Sequence, residues 1–148
     1  MKRLALLIVA VVLVAGCGGS GRISKASYEQ KVQTDGKAVQ TSLTSLSKSP
    51  PTSLAQLTKR IDTIETVVKK MADDLSSLKP PSEAEADNTA IVAGLRRIQS
   101  GAEQVKSKPT SAQTIVTAIQ ASPQLKAADK AIADLKSKGY KVGVIGIP

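Results

Sequence analysis

The chain has 148 residues, 21 of them basic and 12 acidic, for a net charge of +9, and it holds two tyrosines but no phenylalanine or tryptophan. There is no histidine and only one cysteine, which excludes imidazole acid–base chemistry, histidine metal ligation and an internal disulfide. Single-strand nucleic-acid binders stack bases on aromatic rings, so nucleic acid is not an expected partner. The lysines are dispersed and read as a solvated surface that can also meet an anionic envelope polymer.

The first element is Met1-Lys2-Arg3 followed by apolar residues from Leu4 to Ala15. Two positive charges and about a dozen apolar residues make a secretory signal. A membrane-spanning helix needs about 20 such residues, so residues 1–16 are expected to be removed on export. The apolar run ends at Val14-Ala15-Gly16-Cys17, the site of the only cysteine.

Those four residues resemble the lipobox of bacterial lipoproteins. The resemblance covers the first seventeen residues only, and Val14 stands where leucine is commoner. It implies that the Cys17 thiol takes a diacylglyceryl group, that the chain is cut before Cys17, and that the protein rides on the extracytoplasmic side of the cell membrane. One acyl chain binds a bilayer only marginally, whereas two or more hold firmly. Residues 17–23, with Gly18-Gly19-Ser20-Gly21, then form a flexible tether. Arg22 and Lys25 lie just beyond the glycines, where basic residues either meet anionic headgroups or stay solvated.

From Ser24 onward, prolines at 50–51, 80–81, 109, 123 and 148 divide the chain into helix-length segments, because proline lacks a donor and disfavours helix at the residue before it. The first segment, about Ser24 to Ser47, places Tyr28, Val32, Val39, Leu43 and Leu46 on one face, with Gly36 weakening it. The second is the clearest. Leu54, Leu57, Ile61, Ile64, Val68, Met71, Leu75 and Leu78 follow by alternating steps of three and four, a heptad stripe. Ser53 to Gln56 predicts a capping box at its start.

The third segment predicts another capping box at Ser82 to Glu85, then a stripe of Ala84, Asn88, Ile91, Leu95, Ile98, Ala102 and Val105. Asn88 on that stripe reads as a register-fixing polar residue. Gly94 and Gly101, seven apart, predict a neighbouring helix that passes close, since a mid-helix glycine is otherwise unfavourable. The fourth segment opens at Thr110-Ser111-Ala112-Gln113 and carries Ile115, Val116 and Ile119. Ser122-Pro123 reads as a fresh N-cap and first turn, followed by Leu125, Ala128, Ile132 and Leu135. Gly139 after Lys136 and Lys138 is a stop signal. The tail, residues 140–148, is apolar and glycine-spaced without a helical face, and is expected to strap onto the bundle or fray.

Amphipathic helices joined by short connections pack antiparallel. The expected fold is all-α: an antiparallel four-helix bundle over residues 24–139, with the fourth helix broken near Pro123 and a non-helical tail. A long structural coiled coil is disfavoured because prolines interrupt the heptads.

No catalytic constellation stands out. Cys17 is committed to the anchor, Met71 lies on a core stripe, and no glycine-elbow motif marks a nucleophilic serine. Glu83, Glu85 and Asp87 cluster at a helix start, where the helix dipole favours negative charge. The functional expectation is therefore a non-enzymatic lipoprotein with a binding or structural role in the cell envelope, partnered by the membrane through Cys17 and by an envelope protein or anionic polymer, with no cofactor or metal. The alternative is a carrier of an apolar small molecule or lipid between the helices, with Ala84, Gly94, Gly101, Ala102 and Ala128 leaving room.

Overall fold

Residues 21–48 and 51–143 are described in a computed structural model. Among them every regular element is helical: α1 (Lys25–Lys48), α2 (Leu54–Ser77), α3 (Glu85–Ser107), α4 (Ala112–Gln120) and α5 (Pro123–Ser137), with 3-10 turns at Ser82–Ala84 and Pro109–Ser111. The helices pack against one another as a bundle. Helix α3 is central, touching α2, α4 and α5, while α1 packs on α2.

Cross-helix bonds fix the directions. Lys106 near the end of α3 pairs with Asp62 and Glu65 near the start of α2, while Asn88 near the start of α3 reaches the Leu75 carbonyl near the end of α2. Lys31 in α1 pairs with Asp74 in α2, and Arg60 donates to the Ser45 carbonyl at 3.2 Å. Lys138, just past α5, pairs with Asp87 in α3. Each of these packed pairs therefore runs antiparallel.

The stripes become the core. Tyr28, Val32, Val39 and Leu43 of α1, Ile61 to Leu75 of α2 and Ile91 to Val105 of α3 supply its buried positions. Gly36 does not interrupt α1. Leu54, placed on the α2 stripe, is instead 62% exposed. Heptad spacing marks a face, but burial needs a neighbour at the same height. Leu54 is the first residue of α2 and borders an open groove between the turns at Pro51–Ser53 and Pro109–Thr110.

Local signals set most helix ends. Ser53 Oγ accepts from the Gln56 amide at 3.2 Å. The Gln56 side chain reaches one residue further back than a capping box requires, accepting from the Thr52 amide and hydroxyl at 3.1 Å each. The box at Ser82–Glu85 does not form. Residues 82–84 make a 3-10 turn, Ala84 precedes α3 without a side-chain cap, and Glu85 pairs with Arg22 instead.

The predicted break in the fourth helix is present. Ser122 Oγ accepts from the Leu125 amide at 3.4 Å and donates to the Ile119 carbonyl at 2.6 Å, so one hydroxyl joins the end of α4 to the start of α5. Gly139 has φ +75°, the left-handed conformation glycine tolerates best. Its amide bonds the Lys136 carbonyl and the Tyr140 amide bonds the Leu135 carbonyl, each at 2.9 Å, which is the Schellman pattern.

Two boundaries move. Residues 21–23 are not part of a free tether: the Ile23 amide donates to the Lys79 carbonyl at 2.9 Å, Arg22 donates to the Pro80 carbonyl at 2.8 Å, and Ile23 packs on the core. The turn between α2 and α3 leaves carbonyls unpaired, and this strand of chain satisfies two of them. The folded body also runs past 139, because Tyr140 and Val142 are buried core residues. Residues 1–20 and 144–148 lie outside the described residues, and with them the signal, Cys17 and the end of the tail.

Candidate functional site

The two ends of the bundle differ in chemistry. The end that carries the α2–α3 turn holds a buried polar clasp. Tyr28 Oη donates to Asn88 Oδ1 at 3.1 Å, and Asn88 Nδ2 donates to the Leu75 carbonyl at 3.0 Å. That carbonyl belongs to the last turn of α2, which has no intrahelical partner. One buried amide therefore ties α1, α2 and α3 together and caps a helix, which is how the polar residue on the α3 stripe fixes register.

Tyr140 completes the clasp. Its ring meets that of Tyr28 edge-on at 5.9 Å and 89°, a favoured aromatic geometry. Its hydroxyl donates to Glu83 Oε1 at 2.8 Å. Lys25 Nζ sits 4.3 Å from the ring centroid and donates to the Lys138 carbonyl at 2.9 Å. Burial pushes the Tyr28 phenol well above its ordinary range, helped by the negative charge of Asp87 and by Tyr140. Burial and the Glu83 hydrogen bond do the same to Tyr140. Glu83 is held below its usual range, first by a backbone hydrogen bond and then by the Tyr140 hydroxyl.

The acidic cluster at the start of α3 is thus divided among separate partners. Glu83 takes Tyr140, Glu85 takes Arg22 at 2.7 Å, and Asp87 takes Lys138 at 2.6 Å. No group of three or more among the described residues is placed to hold a metal ion. The neighbours Asp73 and Asp74 also diverge: Asp73 pairs with Lys69 at 2.5 Å, and Asp74 is shared by Lys31 and Lys70. The Lys31 hydrogen bond, with that of Lys70, draws the Asp74 carboxyl down to about 2.

The opposite end holds an apolar cleft of about 180 Å³. Leu43 of α1, Ile61 and Ile64 of α2, Ile98 and Ala102 of α3, and Val116 and Ile119 of α4 contribute to its lining, which is aliphatic throughout. Leu57 lines both the cleft and the open groove edged by Thr52, Ser53, Leu54 and Thr110, so the two spaces share that side chain as a wall.

The small residues divide into two groups. A methyl group at Gly94 would lie 2.6 Å from the Ala128 Cβ, and one at Gly101 would lie 2.0 Å from the Ile119 Cδ1. Both glycines therefore admit a close helix, as their spacing predicts. Gly101 and Ala102 also border the cleft. Gly94 and Ala128 border only a gap of about 10 Å³, and Ala84 is fully buried, so these three leave no room for a ligand. Sequence reading placed the cleft's leucines, isoleucines and valines on helix faces and gave no sign that their packing stays open.

No family model matches the chain, and neither a curated protein nor a solved structure matches it. No helix among the described residues is long and apolar enough to cross a membrane.

Proposed function

We propose that the protein is a non-enzymatic lipoprotein, held on the extracytoplasmic side of the cell membrane by lipid on Cys17, with a binding role in the envelope. The observation that carries this reading is the order of residues from Lys2 to Cys17: positive charge, apolar run, small pair, single cysteine. Lipidation also accounts for a lone thiol in an exported chain.

The docking of residues 21–23 gives this reading an orientation. Gly21 lies beside Lys79, at the clasp end. Three residues separate it from Cys17, and an extended chain covers at most about 3.6 Å per residue. A lipid on Cys17 would hold the clasp end close to the headgroups and direct the apolar cleft away from them.

The test is expression of the full chain in a bacterial host with isotopically labelled palmitate. The expected product carries the label, partitions into the detergent phase of Triton X-114, and yields an N-terminal peptide that begins at modified Cys17. Cys17→Ser should lose the label and the partitioning while keeping the helical circular dichroism signal. A wild-type protein that keeps Met1, or has a free Cys17 thiol, overturns the reading.

A further inference from the structure

We infer that the cleft at the end away from Gly21 is a binding site for the hydrocarbon chain of a single-chain amphiphile, a fatty acid in its simplest form. This deepens the envelope-binding reading, on which it rests for the source of the ligand but not for the site itself.

Three features select the ligand. The lining presents only aliphatic side chains and glycine, so it offers no side-chain hydrogen bond to a polar guest. Polar groups left without partners there would be penalised, whereas an apolar cavity of about 150 Å³ stays dry and accepts an apolar guest. The volume of about 180 Å³ falls below the roughly 300 Å³ lower bound of sites for bulky organic ligands. It fits the terminal segment of one slender chain and is too small for a fused-ring sterol nucleus or for paired chains.

The mouth supplies the third feature. Leu54, the exposed large apolar side chain among the described residues, stands in the groove that shares Leu57 with the cleft. Thr52, Ser53 and Thr110 edge that groove. An amphiphile seated with its chain among Ile64, Ile98 and Ile119 would leave its head at these hydroxyl-bearing turns, in water. The cleft also lies at the far end of α2 from the anchored side, since Leu57 lines it while the clasp sits beyond Leu75. A ligand must leave the bilayer to reach it, which single-chain amphiphiles do far more readily than two-chain lipids, because each buried methylene holds a chain in the membrane by about 0.8 kcal/mol.

The test is photo-crosslinking with palmitate carrying a terminal diazirine, and separately with a phosphatidylcholine carrying the same group. The full chain is labelled in its own membranes, and the Cys17→Ser protein is labelled in solution. The expected result is palmitate adducts on peptides containing Ile64, Ile98 or Ile119 in both preparations, with no phosphatidylcholine adducts there. Val116→Phe and Ala112→Leu fill the space from α4, and each should cut cleft labelling at least tenfold while keeping the melting transition. Two such variants guard against misfolding of either. Labelling that survives both variants, spreads evenly over the surface, or comes equally from the phospholipid overturns the inference. So does a dimer in sedimentation that Val116→Phe dissociates, which would assign the cleft to a second copy. Cleft labelling of the Cys17→Ser protein separates failure of the site from failure of the anchor.

Discussion

The Cα of Gly94 faces Ala128 so closely that an added methyl group would come within 2.6 Å of the Ala128 Cβ, and within 3.3 Å of the Gln124 carbonyl oxygen. Neither atom can move without moving α5. At Gly101 the obstruction is instead a side chain, Ile119, through its Cδ1 at 2.0 Å and its Cγ1 at 2.7 Å, and that side chain borders the cleft. Gly94→Ala should therefore destabilise the fold by about 1–3 kcal/mol through overpacking, despite a helix-propensity gain of up to about 1 kcal/mol. Gly101→Ala should cost less and should narrow the cleft as Ile119 swings into it. Urea melts of the two variants check the order; equal losses would contradict the difference in what each methyl group meets.

Removing one member of the Tyr28–Asn88 bond leaves the other buried without its partner. Tyr28→Phe orphans Asn88 Oδ1, and a loss of about 1–3 kcal/mol is expected. Asn88→Ala orphans both the Tyr28 hydroxyl and the Leu75 carbonyl and should cost more. Because the two residues act through one bond, the double variant should fall short of the sum of the single effects. A thermodynamic cycle with additive losses would show that the bond carries no coupling.

Alkaline stability follows from the two phenols. Both Tyr28 and Tyr140 are raised above the ordinary tyrosine value of 10.0, so the folded state holds these protons more tightly than the unfolded chain. Their contribution is complete below pH 10 and is lost as pH rises beyond it. Tyrosinate absorbance should stay low through pH 10 and then appear together with loss of helical signal. With no other tyrosine in the chain, a separate early ionisation step in a still-helical protein would contradict the buried clasp.

Asp74 gives the opposite dependence. Its folded value of about 2 lies below the ordinary 3.8, so its contribution is present above pH 3.8 and is lost as pH falls toward 2. Lys31 and Lys70 provide it from two helices. Asp74→Asn should flatten the acid limb of a stability–pH profile between pH 4 and 2 without altering the alkaline limb. Salt should weaken the effect, since these groups are partly exposed. An unchanged acid limb would show that the lysine pairing is not felt in solution.

The sequence by itself determined the helical segments, because period, proline and glycine act within a few residues of where they stand. Ser53, Ser122 and Gly139 mark ends that the fold keeps, and the α2 stripe from Ile61 to Leu75 is core as its spacing demands. Gly94 and Gly101 even announced close neighbours, since a glycine loses helix propensity whatever lies opposite. The identity of those neighbours, Ala128 and Ile119, was not legible.

What only the tertiary structure decided are relations between distant positions. Ser82 had a local partner in Glu85, but Glu85 sits nearer to Arg22, sixty-three residues away. Tyr140 read as the start of a tail that either straps or frays, and its buried ring against Tyr28 decides for the strap at residues 140–142. Leu54 kept the heptad rhythm and gained no burial, for want of a surface at its height. The cleft belongs to the same class: its leucines, isoleucines and valines are ordinary core residues by pattern, and only the placement of four helices leaves the space between them unfilled.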